Sequence, residues 1–285
     1  MIQAMSEIRI ERMDLSGVRQ AMEWAEAEGW EPGINDAEPF FAADPEGFFR
    51  AVTGNRTIAT LSAVRGSPTV AFVGLYIVEP GSRGKGLGRQ LWDQVLDRFG
   101  GVALGLDAVP EQVSTYASDG LEPAYGNARY SNDANLLPDP DPAIEVVSAA
   151  ATDFDALVDF DSRHFFGPRA GFLREWLTGE GRNSVVVLED GELAGFAASR
   201  STTAGHRIGP VFTGRQDLAR EMILTLSAGL RGPVAVDIPQ PNDAARQLVD
   251  SLGMTRSFET TRMYRGPAPD LPLGDIFGIT TLELG

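Results

Sequence analysis

The chain has 285 residues, of which 43% are hydrophobic and 8% aromatic, and this length is typical of about two domains with full apolar cores. Its formal net charge of −16 argues against nucleic acid and anionic membranes as partners, because both need a basic protein face. The chain has no cysteine, two histidines far apart, no apolar run of about 18 residues and a charged N-terminus, so we expect a cytoplasmic protein without disulfides or a metal site.

The first notable tract is EGWEPGINDAEPFF, residues 28–41, which combines acids with aromatic side chains. Two interpretations are open at this point. The tract could be a packed helix and turn whose aromatics fill the core and whose acids cap helices. It could equally be the wall of a site for a protonated amine, which acids and aromatic faces both attract.

A strand, a tight turn and a strand are predicted over residues 52–64, and a further apolar strand then runs into a glycine-rich loop and an amphipathic helix, VGLYIVEPGSRGKGLGRQLWDQVL. The loop is not a Walker loop, because Gly81 and Lys85 are too close and Gly86 follows the lysine. It matches the Rossmann pattern GxGxxG only weakly, because Arg89 stands at the position of the third glycine. Two interpretations of the loop remain, a flexible turn and an anion-binding loop at the start of a helix.

The run Arg83 to Gly88 has the pattern RxxGxG between a strand and a helix, and in this it resembles the GNAT superfamily of acyl-CoA N-acyltransferases. The resemblance implies that the strand ending in LYIVEP splays from its neighbour, and that the backbone of Ile77 and Val78 contacts the pantetheine arm of acetyl-CoA. It also implies that the loop holds the pyrophosphate, through Arg83, Gly84, Lys85, Gly86, Leu87, Gly88 and Arg89.

The resemblance also implies a general acid. Tyr116 lies four residues before Gly120, as does the family's tyrosine that protonates the leaving sulfur, and an ordinary phenol stays protonated at neutral pH. The alternative is a helix tyrosine packed on the sheet. Some family members carry a glutamate where Phe72 stands here, so we expect the base to be a water chain or an acid elsewhere. In this topology residues 28–41 line the acceptor side, which implies that Glu28, Trp30 and Asp36 bind the acceptor.

An internal repeat surrounds the proline-rich stretch NLLPDPDPAIEVV at residues 135–147. Asp107 aligns with Asp237 at an offset of 130, and Arg129 aligns with Arg262 at an offset of 133. We therefore expect an α/β (α+β) fold of two tandem GNAT-like domains, residues 1–137 and 138–285. Each has a mixed, largely antiparallel sheet flanked by helices, with a splayed strand pair in the first.

The second copy lacks the features of a site. No RxxGxG follows its strand HRIGPVF, Asp217 near the next helix start would cap that helix and repel a phosphate, and Val249 replaces the tyrosine. We therefore predict one active site, in residues 1–137, and a degenerate partner. The final DIFGITTLELG is predicted to be a terminal strand that packs on either domain.

The resulting expectation is an N-acetyltransferase that moves an acetyl group from acetyl-CoA to a primary amine of a small molecule or peptide, by direct attack in a ternary complex. Two alternatives stay open. One is a non-catalytic acyl-CoA sensor, which the missing strand glutamate favours and Tyr116 disfavours. The other is a nucleotide-binding oxidoreductase, which the missing third glycine disfavours. The acceptor, the acyl length and the oligomeric state are open.

Overall fold

Strands and helices follow the same order in both halves of the chain, and the computed structural model describes residues 8–285. The strands are β1 (Ile8–Arg12), β2 (Phe48–Thr53), β3 (Arg56–Arg65), β4 (Val70–Val78), β5 (Ala103–Ala108), β6 (Glu122–Asp133), β7 (Val146–Ser148), β8 (Arg182–Glu189), β9 (Glu192–Ser201), β10 (His206–Phe212), β11 (Pro233–Pro239), β12 (Thr255–Arg265) and β13 (Ile276–Gly278). The helices are α1 (Leu15–Ala27), α2 (Ala37–Ala43), α3 (Leu87–Leu96), α4 (Val113–Ser118), α5 (Phe154–Ser162), α6 (Ala170–Thr178), α7 (Gln216–Ser227) and α8 (Asp243–Ser251). None of the helices within residues 8–285 is long and apolar enough to cross a membrane. The mixed, largely antiparallel α/β fold with two equivalent halves agrees with the predicted fold class.

All 13 strands join one sheet, in the order β1-β2-β3-β4-β5-β12-β6-β11-β10-β9-β8-β7, with β13 paired to β10. This order is symmetric about its centre, because β1 to β6 of the first half correspond to β7 to β12 of the second. The central strands are exchanged. Strand β12 pairs with β5 of the first half, and β6 pairs with β11 of the second. Each half therefore completes the sheet of the other.

A pair of buried salt bridges follows from this exchange. Arg262 donates to Asp107 over 2.7 Å, and Arg129 donates to Asp237 over 2.7 Å. The sequence repeat aligns the two aspartates with each other and the two arginines with each other. In the folded chain, each aspartate binds the arginine of the opposite half.

The strands β4 and β5 separate soon after they begin to pair. They are parallel and paired over three positions, the last joining Phe72 to Gly105. Beyond these, Leu75 has a positive φ of 47°, and the register between β3 and β4 shifts at this irregularity. The bend turns the rest of β4 away from β5 and leaves a V-shaped gap, which confirms the splayed strand pair expected in the first half.

The equivalent strands β10 and β11 also separate after three paired positions, His206 to Ile208. Their gap is filled by the chain itself. Strand β13 pairs antiparallel with β10, and Ile279 beyond it donates its backbone N–H to the carbonyl oxygen of Asp237 over 2.9 Å. The terminal strand predicted from DIFGITTLELG therefore forms, and it lies in the second half.

Three apolar cores stabilise the sheet. One lies under α3 in the first half and one under α7 and α8 in the second. The third is shared, because α1 and α2 of the first half pack with α5 and α6 of the second around Phe40, Phe172 and Trp176. Burial of each large side chain contributes about 2 kcal/mol. The shared core and the exchanged strands make the halves one packed body.

Candidate active site

A cavity of about 530 Å³ occupies the gap between β4 and β5. Its walls come from both sides of the gap, from the glycine-rich loop before α3, and from segments of the second half. Among the residues predicted from sequence, those that line it are Glu28, Trp30, Ile77, Val78, Arg83, Gly84, Gly86, Leu87, Gly88, Arg89 and Tyr116. Asp36 and Lys85 are not among its lining residues. Within residues 8–285 no cluster of histidine and acidic side chains is arranged to hold a metal ion.

The glycine-rich loop has the backbone geometry that an anion cradle needs. Gly84 and Gly86 have φ of +72° and +74°, and space is open where a Cβ would be placed on either. Gly86 is the N-cap of α3, and no side chain among residues 8–285 accepts a hydrogen bond from the first turn of this helix. These N–H groups and the positive end of the helix dipole therefore face the cavity uncompensated, which suits a diphosphate.

Gly88 has a different role, which is to let α3 approach β4. A Cβ at this position would overlap Val78 and the hydroxyl of Tyr76. The loop pattern thus requires glycine for backbone conformation at two positions and for close packing at the third.

The basic side chains of the loop are held in place by neighbours. Arg83 donates from Nε to the carbonyl oxygen of Val78 over 2.8 Å and forms an ion pair with Glu28. Arg89 forms ion pairs with two acids, Asp93 and Asp119. Lys85 is exposed and donates to the carbonyl oxygen of Gly81 over 2.7 Å. All three basic side chains are therefore engaged by neighbours of the loop.

Tyr116 lies on α4 and lines the cavity. Its ring packs on Trp92 at a centroid distance of 5.2 Å, and Trp92 in turn packs on Tyr76 at 5.3 Å. Burial raises the pKa of Tyr116 well above that of free tyrosine, and burial raises the pKa of Tyr76 to about 12. Both hydroxyls are therefore protonated at neutral pH, and both belong to cavity-lining residues.

The acidic and aromatic tract between α1 and α2 divides into two parts. Glu28 and Trp30 line the cavity, although Glu28 is engaged by Arg83. Asp36 is completely buried and accepts hydrogen bonds from Arg182 over 2.7 Å and Arg200 over 3.1 Å. Burial favours a higher pKa for Asp36, but the two arginines outweigh it and lower the pKa. Asp36 therefore binds the second half of the chain and does not face an acceptor, which corrects the role expected from the sequence.

Several cavity residues were not predicted from the sequence. Phe258 and Thr260 reach the cavity on the exchanged strand β12, and Leu282 and Glu283 reach it on the segment that follows β13. One signal was available, because an isolated glycine inside a strand often marks a close approach of another backbone. A Cβ on Gly74 of β4 would overlap the carbonyl oxygen of Glu283.

The equivalent helix start in the second half has different chemistry. Asp217 lies in the first turn of α7, where it forms an ion pair with Arg215, and the N-cap is Arg215, not the aspartate expected from the sequence. The side-chain hydrogen bond from Arg215 and the backbone N–H of Leu218 help to lower the pKa of Asp217. A carboxylate of the chain itself thus lies in the first turn of α7, where it would repel a bound anion.

Comparison with known proteins finds matches in both halves of the chain. The model of the acetyltransferase (GNAT) family matches residues 11–112, and that of an acetyltransferase (GNAT) domain matches residues 157–278. Holothin acyltransferase from Pseudoalteromonas sp. (strain SANK 73390) is 32% identical over 265 residues, which cover 92% of this chain and 90% of that protein. The N-acetyltransferase YitH of Bacillus subtilis (strain 168), itself uncharacterised, is 24% identical over 75% of this chain and 76% of its own length.

Solved structures show the same architecture. An acetyltransferase structure from Pyrococcus horikoshii has a TM-score of 0.80 at 18% identity, over 98% of this chain and 96% of that one. A tandem GNAT protein from the clavulanic acid biosynthesis pathway has a TM-score of 0.64 at 17% identity, over 92% of this chain and all of that one. At these identities the likeness concerns the fold.

Proposed function

The chain belongs to the GNAT family of acetyltransferases, and on that premise we propose that it transfers an acetyl group from acetyl-CoA to a primary amine by direct attack in a ternary complex. The observation that carries the proposal is the cavity itself. Three features line this one space of about 530 Å³: the glycine loop before the uncapped start of α3, the splayed strand β4 and a protonated tyrosine. A pocket of this size suits an elongated ligand whose reactive end lies inside.

The first half would hold acetyl-CoA at two places. The amides of Lys85, Leu87 and Arg89, with the three loop glycines, would bind the pyrophosphate at the start of α3. The backbone of Ile77 and Val78 lines the gap beyond the last β4–β5 pair, where its polar groups would align the pantetheine arm. When bound, acetyl-CoA supplies an activated carbonyl with a thiol leaving group.

Tyr116 is the proposed general acid. A thiol such as cysteine has an ordinary pKa of about 8.5, so the departing sulfur gains from a nearby proton donor at neutral pH. The raised pKa of Tyr116 keeps its hydroxyl protonated over the whole neutral range.

The acceptor is proposed to be a primary amine on a small molecule or a peptide. Trp30 offers an aromatic face to an ammonium group, and the chain's net charge of −16 attracts cations. The relative named for holothin suggests that holothin belongs among the acceptors to be tried.

Two measurements test the proposal. The first is free-thiol release from acetyl-CoA over an amine panel containing 1,4-diaminobutane, tryptamine, an aminoglycoside, a free amino acid, a peptide with a free N-terminus and holothin. The second is calorimetry, with one equivalent of acetyl-CoA bound per chain as the expected result. One-site binding with no thiol release for any amine would instead favour a non-catalytic acyl-CoA sensor, and two bound equivalents would contradict the assignment of a single site.

A further inference from the structure

The segment after β13 carries a carboxylate from the second half of the chain into the cavity of the first. Beyond Ile279, which is bound to the backbone of β11, the chain turns so that Leu284 donates its N–H to Thr281 Oγ1 over 3.0 Å. The carbonyl oxygen of Glu283 lies against Gly74, two positions beyond the last pair of β4 with β5. Glu283 is thereby fixed at the inner end of the gap, where the two strands begin to separate.

Within the described part of the chain, residues 8–285, three acidic residues line this cavity, and two of them are already paired. Glu28 forms an ion pair with Arg83, and Asp107 accepts two hydrogen bonds from Arg262. Glu283 is 6% exposed, and no other side chain within residues 8–285 donates a hydrogen bond to its carboxylate or lies within salt-bridge distance of it. Among the residues that the structure describes, Glu283 is therefore the one cavity acid without such a partner, and it is the acid that can exchange a proton there.

The surroundings of Glu283 allow its carboxylate to be charged or neutral. Burial raises its pKa, the negative charge of Asp36 adds to that rise, and Arg200, Arg207 and Arg129 oppose it. These arginines belong to a network of ion pairs that also contains Arg182, the buried acids Asp36 and Asp237, and the partly exposed Glu31. In this network four arginines face four acids when Glu283 is counted, so an ionised Glu283 leaves the network electrically balanced.

We propose, on the basis of the acetyl transfer proposed above, that Glu283 is the general base for the first half's site and takes a proton from the acceptor amine. Phe72, at the last paired position of β4 and β5, cannot take a proton, and Glu283 reaches the same gap from a different part of the chain. The second half thus contributes a catalytic residue to the site, besides its packing surface.

The proposed step balances as follows. An acceptor that binds as an ammonium ion first loses one proton to solvent. The neutral amine nitrogen then forms a bond with the acetyl carbon, and the bond from that carbon to sulfur breaks. The proton lost by nitrogen passes to the carboxylate of Glu283, and sulfur takes the proton of Tyr116. Solvent then removes the proton from Glu283 and returns one to Tyr116, so the products are the amide and free CoA.

The kinetic test compares Glu283→Gln with the wild type, using acetyl-CoA and the panel amine that the wild type acetylates fastest. Because general-base catalysis contributes about 10²-fold or more, we expect kcat to fall by at least about 10²-fold, while the affinity for acetyl-CoA changes by less than about twofold. The acid limb of the wild-type kcat–pH profile should disappear in Glu283→Gln. Glu283→Asp, which keeps the carboxylate on a shorter arm, should recover part of the lost rate, and Glu192→Gln removes an exposed acid of the same half as a control.

A chemical test needs no acceptor. Treatment of the full chain with a water-soluble carbodiimide and glycine ethyl ester modifies carboxylic acids that the reagents can reach. The tryptic peptide 266–285 contains both Glu283 and the exposed Asp270, which serves as an internal reference. We expect Glu283 to be modified and acetyl-CoA to protect it severalfold, with no change at Asp270.

The outcomes separate the two proposals. If the wild type releases no thiol with any panel amine, the proposed function and the base both fail. If the wild type transfers acetyl groups and Glu283→Gln matches it within about twofold, only the base assignment fails. Modification of Asp270 without modification of Glu283, or no protection by acetyl-CoA, would show that Glu283 does not face the occupied cavity and would overturn its assignment as the base.

Discussion

The two strand gaps of this chain have the same origin and opposite contents. In each half a parallel strand pair separates after three positions, beside a glycine that lets another backbone approach, Gly74 in β4 and Gly209 in β10. A Cβ on Gly74 would overlap the backbone of Glu283, and one on Gly209 would overlap that of Ile279. One short segment thus contacts both gaps. It fills the second and leaves the first open as a cavity.

This difference indicates what each half contributes. The second half lacks a glycine loop and a tyrosine at the equivalent positions. Strand β13 pairs with β10 inside its gap, so a cofactor arm would have to displace a strand. Its exchanged strand and its last residues nevertheless supply Phe258, Thr260, Leu282 and Glu283 to the first cavity. The duplicated half therefore builds part of a site that lies outside its own gap.

The largest expected effect comes from separating the halves. A chain that ends near Leu137 keeps β6 but lacks both of its sheet neighbours, β11 and β12, and it exposes the shared apolar core. We expect this fragment to be insoluble or inactive, and the whole chain to unfold in one cooperative step, as judged by solubility, thiol release and calorimetric unfolding.

A nicked chain is the matched control. Cleavage at a protease site introduced between residues 138 and 142 cuts the linker but leaves the exchanged strands in place. The nicked pieces should remain associated on gel filtration and keep most of their acyl-transfer activity. Pieces that separate and fold alone, or a truncated first half with unchanged kcat and KM, would mean that the linker joins two independent units.

The next effect concerns the two buried salt bridges between the halves, Arg262 with Asp107 and Arg129 with Asp237, which lie at equivalent positions of the repeat. Asp107→Asn leaves Arg262 buried without its carboxylate, and removal of one partner of a buried pair costs about 3–5 kcal/mol. Asp237→Asn should cost more, because Asp237 binds both Arg129 and Arg207. Urea unfolding at pH 7 measures both. Equal losses would indicate that Arg207 adds nothing to the second pair.

The pH dependence of the wild type offers a check on Asp237. Burial alone would raise its pKa, but Arg129 and Arg207 overcome that effect and lower the pKa to about 2. Because the folded pKa lies below the unfolded value of 3.8, the stabilisation is present above about pH 4 and is lost as the pH falls through about 2. Its size is on the order of 2 kcal/mol, so the difference in stability between wild type and Asp237→Asn should shrink over this range.

The third effect is on acetyl-CoA binding by the glycine loop, which only the first half has. Gly86→Asp places a negative charge at the start of α3, and we expect acetyl-CoA affinity to fall by about 10²-fold or more, since like charges brought together cost several kcal/mol. Gly86→Asn has nearly the same shape and the same backbone strain at a φ of +74°, without the charge. It should lose clearly less affinity. Equal losses in the two variants, with both folds intact by circular dichroism, would indicate a steric effect.

The sequence predicted well whatever depends on local pattern. The glycines of the loop, the order of strands and helices, and the missing second loop are all encoded within short stretches, and the periodic apolar residues place them in the right elements. The aligned aspartates and arginines correctly indicated a repeat. They could not indicate that Asp107 binds the arginine of the other copy, because a strand with this pattern fits either sheet equally well.

The parts of the site that sequence reasoning missed depend on distant chain segments. Glu283 lies more than 150 residues from the loop, and nothing in TLELG distinguishes a cavity acid from a surface acid. Asp36 illustrates the converse. Its neighbours in sequence are aromatic residues and residues typical of loops, and they do not indicate burial. Asp36 is buried because the second half packs on it and brings Arg182 and Arg200 to it.

Tyr116→Phe should have a smaller effect, confined to chemistry. The change keeps the ring packed on Trp92 and removes the proton donor, so we expect turnover to fall by about 10²-fold while acetyl-CoA affinity barely changes. Tyr130→Phe, on β6 outside the cavity lining, is the control. If the loss appears in Tyr76→Phe instead, Tyr76 is the acid. If chemistry limits the rate and both Tyr116→Phe and Tyr76→Phe keep turnover within about twofold of the wild type, neither tyrosine is the general acid.

The smallest expected effect is on the second gap, and it separates two reasons for the absence of a site there. If the carboxylate of Asp217 were the main obstacle, Asp217→Asn would free the start of α7 for an anion and calorimetry would detect a second equivalent of acetyl-CoA. We expect no change from one equivalent, because the gap beyond His206 to Ile208 is already filled by β13 and by the bond from Ile279 to Asp237. A ligand arm would have to break that pairing, and releasing β13 would also withdraw Glu283 from the first cavity. A second equivalent in Asp217→Asn would show that charge alone closes this half, and the filled gap would then be a consequence of the lost site and not its cause.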